Sequence, residues 1–254
     1  AGTLGARPIT EAIHQVGDWT VRLLLLTLFV SPARIVLDWP RVVLLRRMLG
    51  VATACYASLH ITLYAMDQQW KLWTVASEIV LRFYLTIGFV TLLGLLALAI
   101  TSTDGWQKRL RGRWKKLHRL VFPLAVLGLL HYFIQSKIDV TSAVFYAGLF
   151  IWLMLWRGLP RRWQGRTLAL PALGIAAALA TAAIETTWYA LATKVPPLRV
   201  LEANLNLALW RPAWQVALAG LALLLLVLAR RGVARFRRAP PGTPTGRMRA
   251  APAR

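Results

Sequence analysis

Imidazole is the side chain best suited to hold a metal or move a proton near neutral pH. This chain carries four: His14, His60, His118 and His131. His60 lies inside an uncharged run from Met48 to Met66. His118 and His131 stand near the two ends of a later apolar stretch that closes at Ser136. An imidazole deep in hydrocarbon is costly unless it is paired, lines a water path or binds a metal. Two of them at matching depth on different helices supply what bis-histidine haem ligation requires. One cysteine, Cys55, excludes an internal disulfide framework and any cysteine-based zinc or iron–sulfur site. Five residues before His60, Cys55 is expected to pack as a small apolar residue.

The elements that must position these rings are long apolar helices. The chain is 57% hydrophobic yet carries a formal charge of +22. That combination fits a multi-span membrane protein with basic loops better than a soluble domain. The charge lies between apolar runs rather than on one solvated face, so anionic lipid head groups, not nucleic acid, are its expected partners. Crossing the hydrocarbon core takes roughly 20 apolar residues. Runs at Met48–Met66, Phe83–Thr103, Leu120–Ser136, Val140–Trp156, Thr167–Ile184 and Pro212–Ala229 meet or approach that length. Val16–Ala33 makes a seventh, the weakest because it contains Asp18 and Arg22. The expected fold is therefore all-α, a polytopic membrane bundle of about seven transmembrane helices.

With seven spans, 23 of the 31 Lys and Arg residues fall on one side. The positive-inside rule makes that side, with the C-terminus, cytoplasmic. Residues 1–160 form the expected core, 161–230 two additional spans, and 231–254 a basic tail. That tail is expected to be disordered from Ala239, where it becomes rich in Pro, Gly and Arg. In the inner loop, Trp106, Leu110, Trp114, Leu117 and Val121 recur at helical spacing, which predicts one amphipathic helix on the membrane surface.

His60 follows Arg47 by thirteen residues, and His131 follows His118 by thirteen. At 1.5 Å per residue each deep histidine lies ~20 Å from the inner face, so the two share a level and can face one porphyrin. Gly50, Thr53 and Ala57 precede His60 on its own face, and Gly128 precedes His131. Small residues there leave room for a macrocycle, and they equally allow close helix packing. His118 sits at the inner boundary, where a second redox site could lie or where it could be a plain interfacial histidine. On a straight helix it points ~140° away from His131, and Pro123 between them favours a bend. His14 is expected in an exposed loop. Glu185 is the acid read as lying well inside a span, near its outer end.

Three accounts follow. The histidines ligate haem, or they line the path of a non-redox transporter or proton pathway, or they are inert in a membrane anchor. Scarcity of intramembrane carboxylates favours the first. No Gly-x-Gly-x-x-Gly follows a strand, so no dinucleotide-binding domain is expected.

The stretches RRMLGVATACYASLHITLY, ASEIVLRFYLTIGF, LAITSTDGWQKRLRGRWKKLHRLVFP and LLHYF resemble the MsrQ (YedZ) family, within the ferric-reductase-like transmembrane group. GARPITEAIHQVGDW resembles the segment before that family's second span. The likeness covers about residues 5–160. It implies haem b held by the histidines at His60, His118 and His131, an associated FMN, and a place in the bacterial inner membrane. It also implies an electron-transfer subunit rather than a catalytic one. Electrons would pass from the quinone pool or a flavin donor to MsrP, a periplasmic molybdenum enzyme that repairs oxidised methionines. The sequence departs from the family in three ways. The usual first span is absent, as in a shortened N-terminus, and two further spans follow the core. Arg46 stands fourteen residues before His60, where the related oxidases have a histidine. That leaves His118 without an evident protein partner.

Overall fold

Apolar stretches with no water to satisfy their backbone must close their hydrogen bonds internally, and the helix does so within one segment. A computed structural model describes residues 7–137 and 139–238; every regular element among them is helical. The α-helices run in order as α1 (Pro8–Val36), α2 (Leu45–Asp67), α3 (Leu72–Leu81), α4 (Phe83–Ile100), α5 (Asp104–Leu110) and α6 (Gly112–His118). They continue as α7 (Val121–Ser136), α8 (Thr141–Gly158), α9 (Arg161–Gln164), α10 (Ala169–Ala192), α11 (Pro197–Leu205) and α12 (Pro212–Arg238).

Six helical segments among the described residues are long and apolar enough to cross a membrane. They contain α1, α2, α4, α6 with α7, α10 and α12. The expected span Val140–Trp156 coincides with α8, which is not among the six. Tyr146, Trp152, Trp156 and Arg157 interrupt its aliphatic run. Yet α8 contributes much of the core, burying Val144, Tyr146, Phe150, Trp152, Leu153 and Trp156.

Packing follows two groups that meet on α8. In the first, α1 lies against α2, α4 packs on both α2 and α7, and α1 also touches α7 and α8. In the second, α10 and α12 pack closely on each other and on α8. Glycine lets the second pair approach: the Cα of Gly174 lies 3.1 Å from where a Cβ on Gly220 would stand.

Several local expectations are corrected. The first helix begins at Pro8, so Asp18 and Arg22 lie in its interior rather than its first turns, and His14 is an exposed helical residue. The interior position is tolerated because partners arrive from other helices. The Asp18 carboxylate accepts from the Tyr132 hydroxyl, and Arg22 Nε donates to the Tyr146 hydroxyl at 2.7 Å. Asp18 therefore joins Glu185 as an acid within an apolar helix. The continuous amphipathic helix through Trp106 and Val121 is broken. Arg111, with φ of 47°, separates α5 from α6, and Arg119–Leu120 form a turn just ahead of Pro123. Cys55 is exposed, on a face of α2 that the bundle leaves uncovered. The segment from residue 231 continues α12 as far as Arg238; the disorder expected from Ala239 falls outside the described residues.

Glu185 is fully buried, accepting from Arg211 and, at 2.8 Å, from Asn204 Nδ2. The contact ties α10 to α11 and to the start of α12. Removing one partner of a buried pair leaves the other desolvated, at a cost of about 3 kcal/mol. Glu185→Ala is therefore expected to lower the thermal midpoint in detergent clearly more than Glu185→Gln, which keeps the bond from Asn204. Midpoints equal to the parent's in both variants would show that the pair contributes nothing.

Candidate cofactor-binding site

Helices α2 and α7 carry His60 and His131, and α1 and α4 pack between them. Each ring is tethered by a backbone carbonyl on a neighbouring helix. His60 Nδ1–H donates to the Ile13 carbonyl of α1 at 2.9 Å, and His131 Nδ1–H donates to the Tyr84 carbonyl of α4 at 2.7 Å. A carbonyl can only accept, so the contact fixes the proton on Nδ1 and leaves the Nε2 lone pair of a neutral ring available. Neither Nε2 has a hydrogen-bond partner among the described residues. Metal-binding histidines are oriented in this way, with the far nitrogen tied to a carbonyl or carboxylate.

The two rings approach to 6.4 Å between centroids, with their planes at 88°. Imidazoles bound to one metal from opposite sides, each at a metal–nitrogen distance of ~2.0–2.1 Å, have ring centres roughly 6–6.5 Å apart. The spacing therefore fits a shared metal. Among the described residues no group of three or more His, Cys, Asp or Glu could hold a metal ion. Two axial nitrogens alone suit a metal whose remaining ligands come from a macrocycle.

Two glycines make room for the rings. A Cβ on Gly88 would stand 2.8 Å from His131 Cε1 and Nδ1, and one on Gly17 would stand 3.2 Å from the same atoms of His60. Both sit on the tethering helices, α4 and α1, four residues beyond the accepting carbonyls of Tyr84 and Ile13. Of the small residues singled out from spacing, Gly50 and Thr53 line a separate cavity beside His118. Gly50 faces Thr27 of α1, and Gly128 faces Thr91 of α4. Both also set helix contacts.

His118 is not brought to this pair. It ends α6, stacked on Trp114 with centroids 3.9 Å apart. Its Nδ1 lies 3.2 Å from the Trp114 carbonyl, and its Nε2 lies 3.2 Å from both Ser102 Oγ and the Leu98 carbonyl. Both nitrogens are thus engaged, unlike those of the deeper histidines. The ring borders a cavity of about 310 Å³ that Arg46, Arg47, Gln107 and Thr53 also line.

A polar network flanks the pair and was not singled out from sequence. Tyr132, next to His131, bonds Asp18, which is next to Gly17. Asp18 also faces Arg22 at 3.4 Å, and the Tyr132 and Tyr146 rings lie 5.9 Å apart. The one available signal was an acid and an arginine four residues apart in an otherwise apolar run.

Residues 16–129, which include His60, Tyr84 and Gly88 and end two residues before His131, match the family described as ferric reductase like transmembrane component. A protein-methionine-sulfoxide reductase heme-binding subunit MsrQ from Xanthomonas campestris pv. campestris is 42% identical over 167 residues. That alignment covers 65% of this chain and 77% of the relative. The chain belongs to the MsrQ family. An MsrQ from Caulobacter vibrioides is 38% identical over 177 residues, covering 66% of this chain and 80% of its own length. An MsrQ from Xanthomonas axonopodis pv. citri is 41% identical over 155 residues, 61% of this chain and 71% of the relative. No solved structure matches the chain.

Proposed function

We propose that this chain is a haem-binding membrane subunit that transfers electrons within a methionine sulfoxide reductase system, and that His60 and His131 are the residues that would hold haem b. The observation that carries the reading is the 6.4 Å approach of two imidazoles, each tied at Nδ1 to a neighbouring helix. When bound, the haem supplies a one-electron carrier that cycles between ferric and ferrous iron. The protein's own part is to hold both rings in one tautomer, to keep the pair in an apolar bundle, and to set the local field through Asp18 and Arg22.

The finer assignments follow from the resemblance. Electrons come from the quinone pool or a cytoplasmic flavin donor and leave for a periplasmic MsrP-like molybdenum reductase. The chain lies in the bacterial inner membrane with its C-terminus cytoplasmic. The basic segment with Lys108, Arg109 and Arg111 is the side on which FMN would be met; no residues are assigned to it. Outer-side docking falls to the segments containing α3 and α11.

Purified protein from haem-replete cells is expected to show a sharp Soret band and α-band that respond to dithionite. Colourless, well-folded protein would sink the reading and favour a transporter or an inert anchor. His118→Ala is expected to leave the haem-to-protein ratio at the deep pair unchanged, because His118 touches neither ring. A loss of half the bound iron in that variant would instead make it an axial ligand of a second haem.

A further inference from the structure

The helices that carry and flank the histidine pair are almost free of formal charge. Helices α4 and α7, residues 48–66 of α2 and residues 141–156 of α8 hold no Asp, Glu, Lys or Arg. Between residues 12 and 33, α1 holds two, Asp18 and Arg22. Away from water, neither solvent nor salt screens a charge well, so it acts over a longer distance. The field at the pair is therefore set chiefly by these two. A second couple, Glu78 with Arg82 at 2.8 Å, stands just before α4, where the arginine is half exposed and solvent weakens it.

Asp18 is held beside the pair from both sides. It follows Gly17, whose Cβ would stand 3.2 Å from the His60 ring. It also accepts from the hydroxyl of Tyr132, which follows His131. Arg22 lies one turn farther along α1 and is drawn away. Its Nε donates to the Tyr146 hydroxyl at 2.7 Å, whereas its Nη2 stays 3.4 Å from the Asp18 carboxylate. Tyr146 of α8 is thus a positioning residue that keeps the ion pair slack. The charge nearer the histidines remains negative.

We propose that Asp18 and Arg22 are opposed charges that set the midpoint potential of a haem held by His60 and His131, with Tyr146 keeping Arg22 from neutralising Asp18. This rests on the haem reading above. With two neutral imidazoles, the ferric iron–porphyrin centre carries one positive charge, which a single reducing electron cancels. A fixed carboxylate stabilises the ferric form and lowers the potential; a guanidinium does the reverse. At ~10 Å and an effective dielectric constant of ~20, one unit charge moves a one-electron equilibrium about tenfold.

The test is a mediated redox titration of the full chain in phospholipid nanodiscs, read from the haem α-band. Asp18→Asn keeps an acceptor for Tyr132 and loses the charge. It should raise the potential by ~59 mV, which is tenfold for a one-electron couple. Arg22→Gln should lower it, and Arg22→Lys should restore it. Tyr146→Phe frees Arg22 to approach Asp18 and should raise it by less than Asp18→Asn does. Asp38→Asn, exposed beyond the far end of α1, is the control and should shift nothing. Opposite signs at residues 18 and 22 cannot come from loosened packing, which would move both variants the same way. If Asp18→Asn does not retain haem, the sign in Arg22→Gln decides. Shifts of one sign in both, parent-like potentials in both, loss of haem from both, or an equal shift in Asp38→Asn would each overturn the proposal. The haem reading would then still stand on the parent's spectrum. A parent that binds no haem removes that reading, and this one with it.

Discussion

His131→Ala and His60→Ala are each expected to reduce bound haem to less than a tenth of the parent's content, read from the dithionite-reduced spectrum per mole of protein. In the proposed site each ring would supply one of the two protein nitrogens, and neither remaining histidine is placed to replace it: His118 is engaged by Ser102 and Leu98, and His14, though next to the Ile13 that tethers His60, is exposed on α1. Truncation to alanine removes an imidazole that meets its partner at 6.4 Å, leaving a gap that water or a solvent ligand would have to fill. Fold loss is separable from ligand loss, because the helices around the pair rest on a core that neither ring belongs to. Variants that retain the parent's monodispersity and full haem content would remove these residues as ligands.

The second large effect is expected at a residue that bears no side chain. Gly88 stands where a Cβ would meet the His131 ring at 2.8 Å, and even its Nε2 at 3.1 Å. That ring cannot easily yield, because its Nδ1 is held by the Tyr84 carbonyl at 2.7 Å one helical turn away on the same helix. Forcing extra atoms into such a contact costs roughly 1–3 kcal/mol. If the cost falls on the haem-bound form, affinity drops by about 5- to 150-fold at 1.4 kcal/mol per factor of ten. Gly88→Val should therefore lose haem on dilution, with Gly88→Ala showing a milder form. Gly17→Ala, meeting His60 at 3.2 Å, should be milder still. Gly158→Ala is the control, since nothing lies within 4 Å of its Cβ. An affinity ranking that places Gly158 with Gly88 would show the effect to be general helix packing and not crowding of the ring.

The depth match between His60 and His131 was legible because helical rise is constant and both distances start from basic anchors. Which helices would tether the rings was not, because backbone carbonyls are present at every residue and carry no sequence signature. Gly17 and Gly88 escaped for a related reason. They were sought on the helices that bear the histidines, whereas the crowding comes from the helices between. Asp18 and Arg22 were read as weakening the first span, since one-dimensional hydropathy counts charges and cannot see Tyr132 or Tyr146 arriving from α7 and α8. The amphipathic spacing from Trp106 to Val121 was real, but Gly112 beside Arg111 allowed the chain to break there. Span positions were read well where aliphatic residues dominate. The position of α8 was read as well, but its aromatic residues and Arg157 keep it out of the six segments apolar enough to cross.

Arg22 and Arg157 fasten α1 to α8 at two levels: Arg22 reaches Tyr146, 124 residues downstream, and Arg157 Nη2 reaches back to the Leu28 carbonyl at 2.6 Å, across 129 residues. Helix α1 thus carries a cation whose tyrosine partner is synthesised only after three more long helical segments. Until then Asp18 is its single counter-charge, and the guanidinium must stay near the head groups. Assembly is therefore expected to finish with α1 settling deeper as α8 arrives, so that nascent chains released before residue 146 hold α1 shallow and open to protease at the membrane surface.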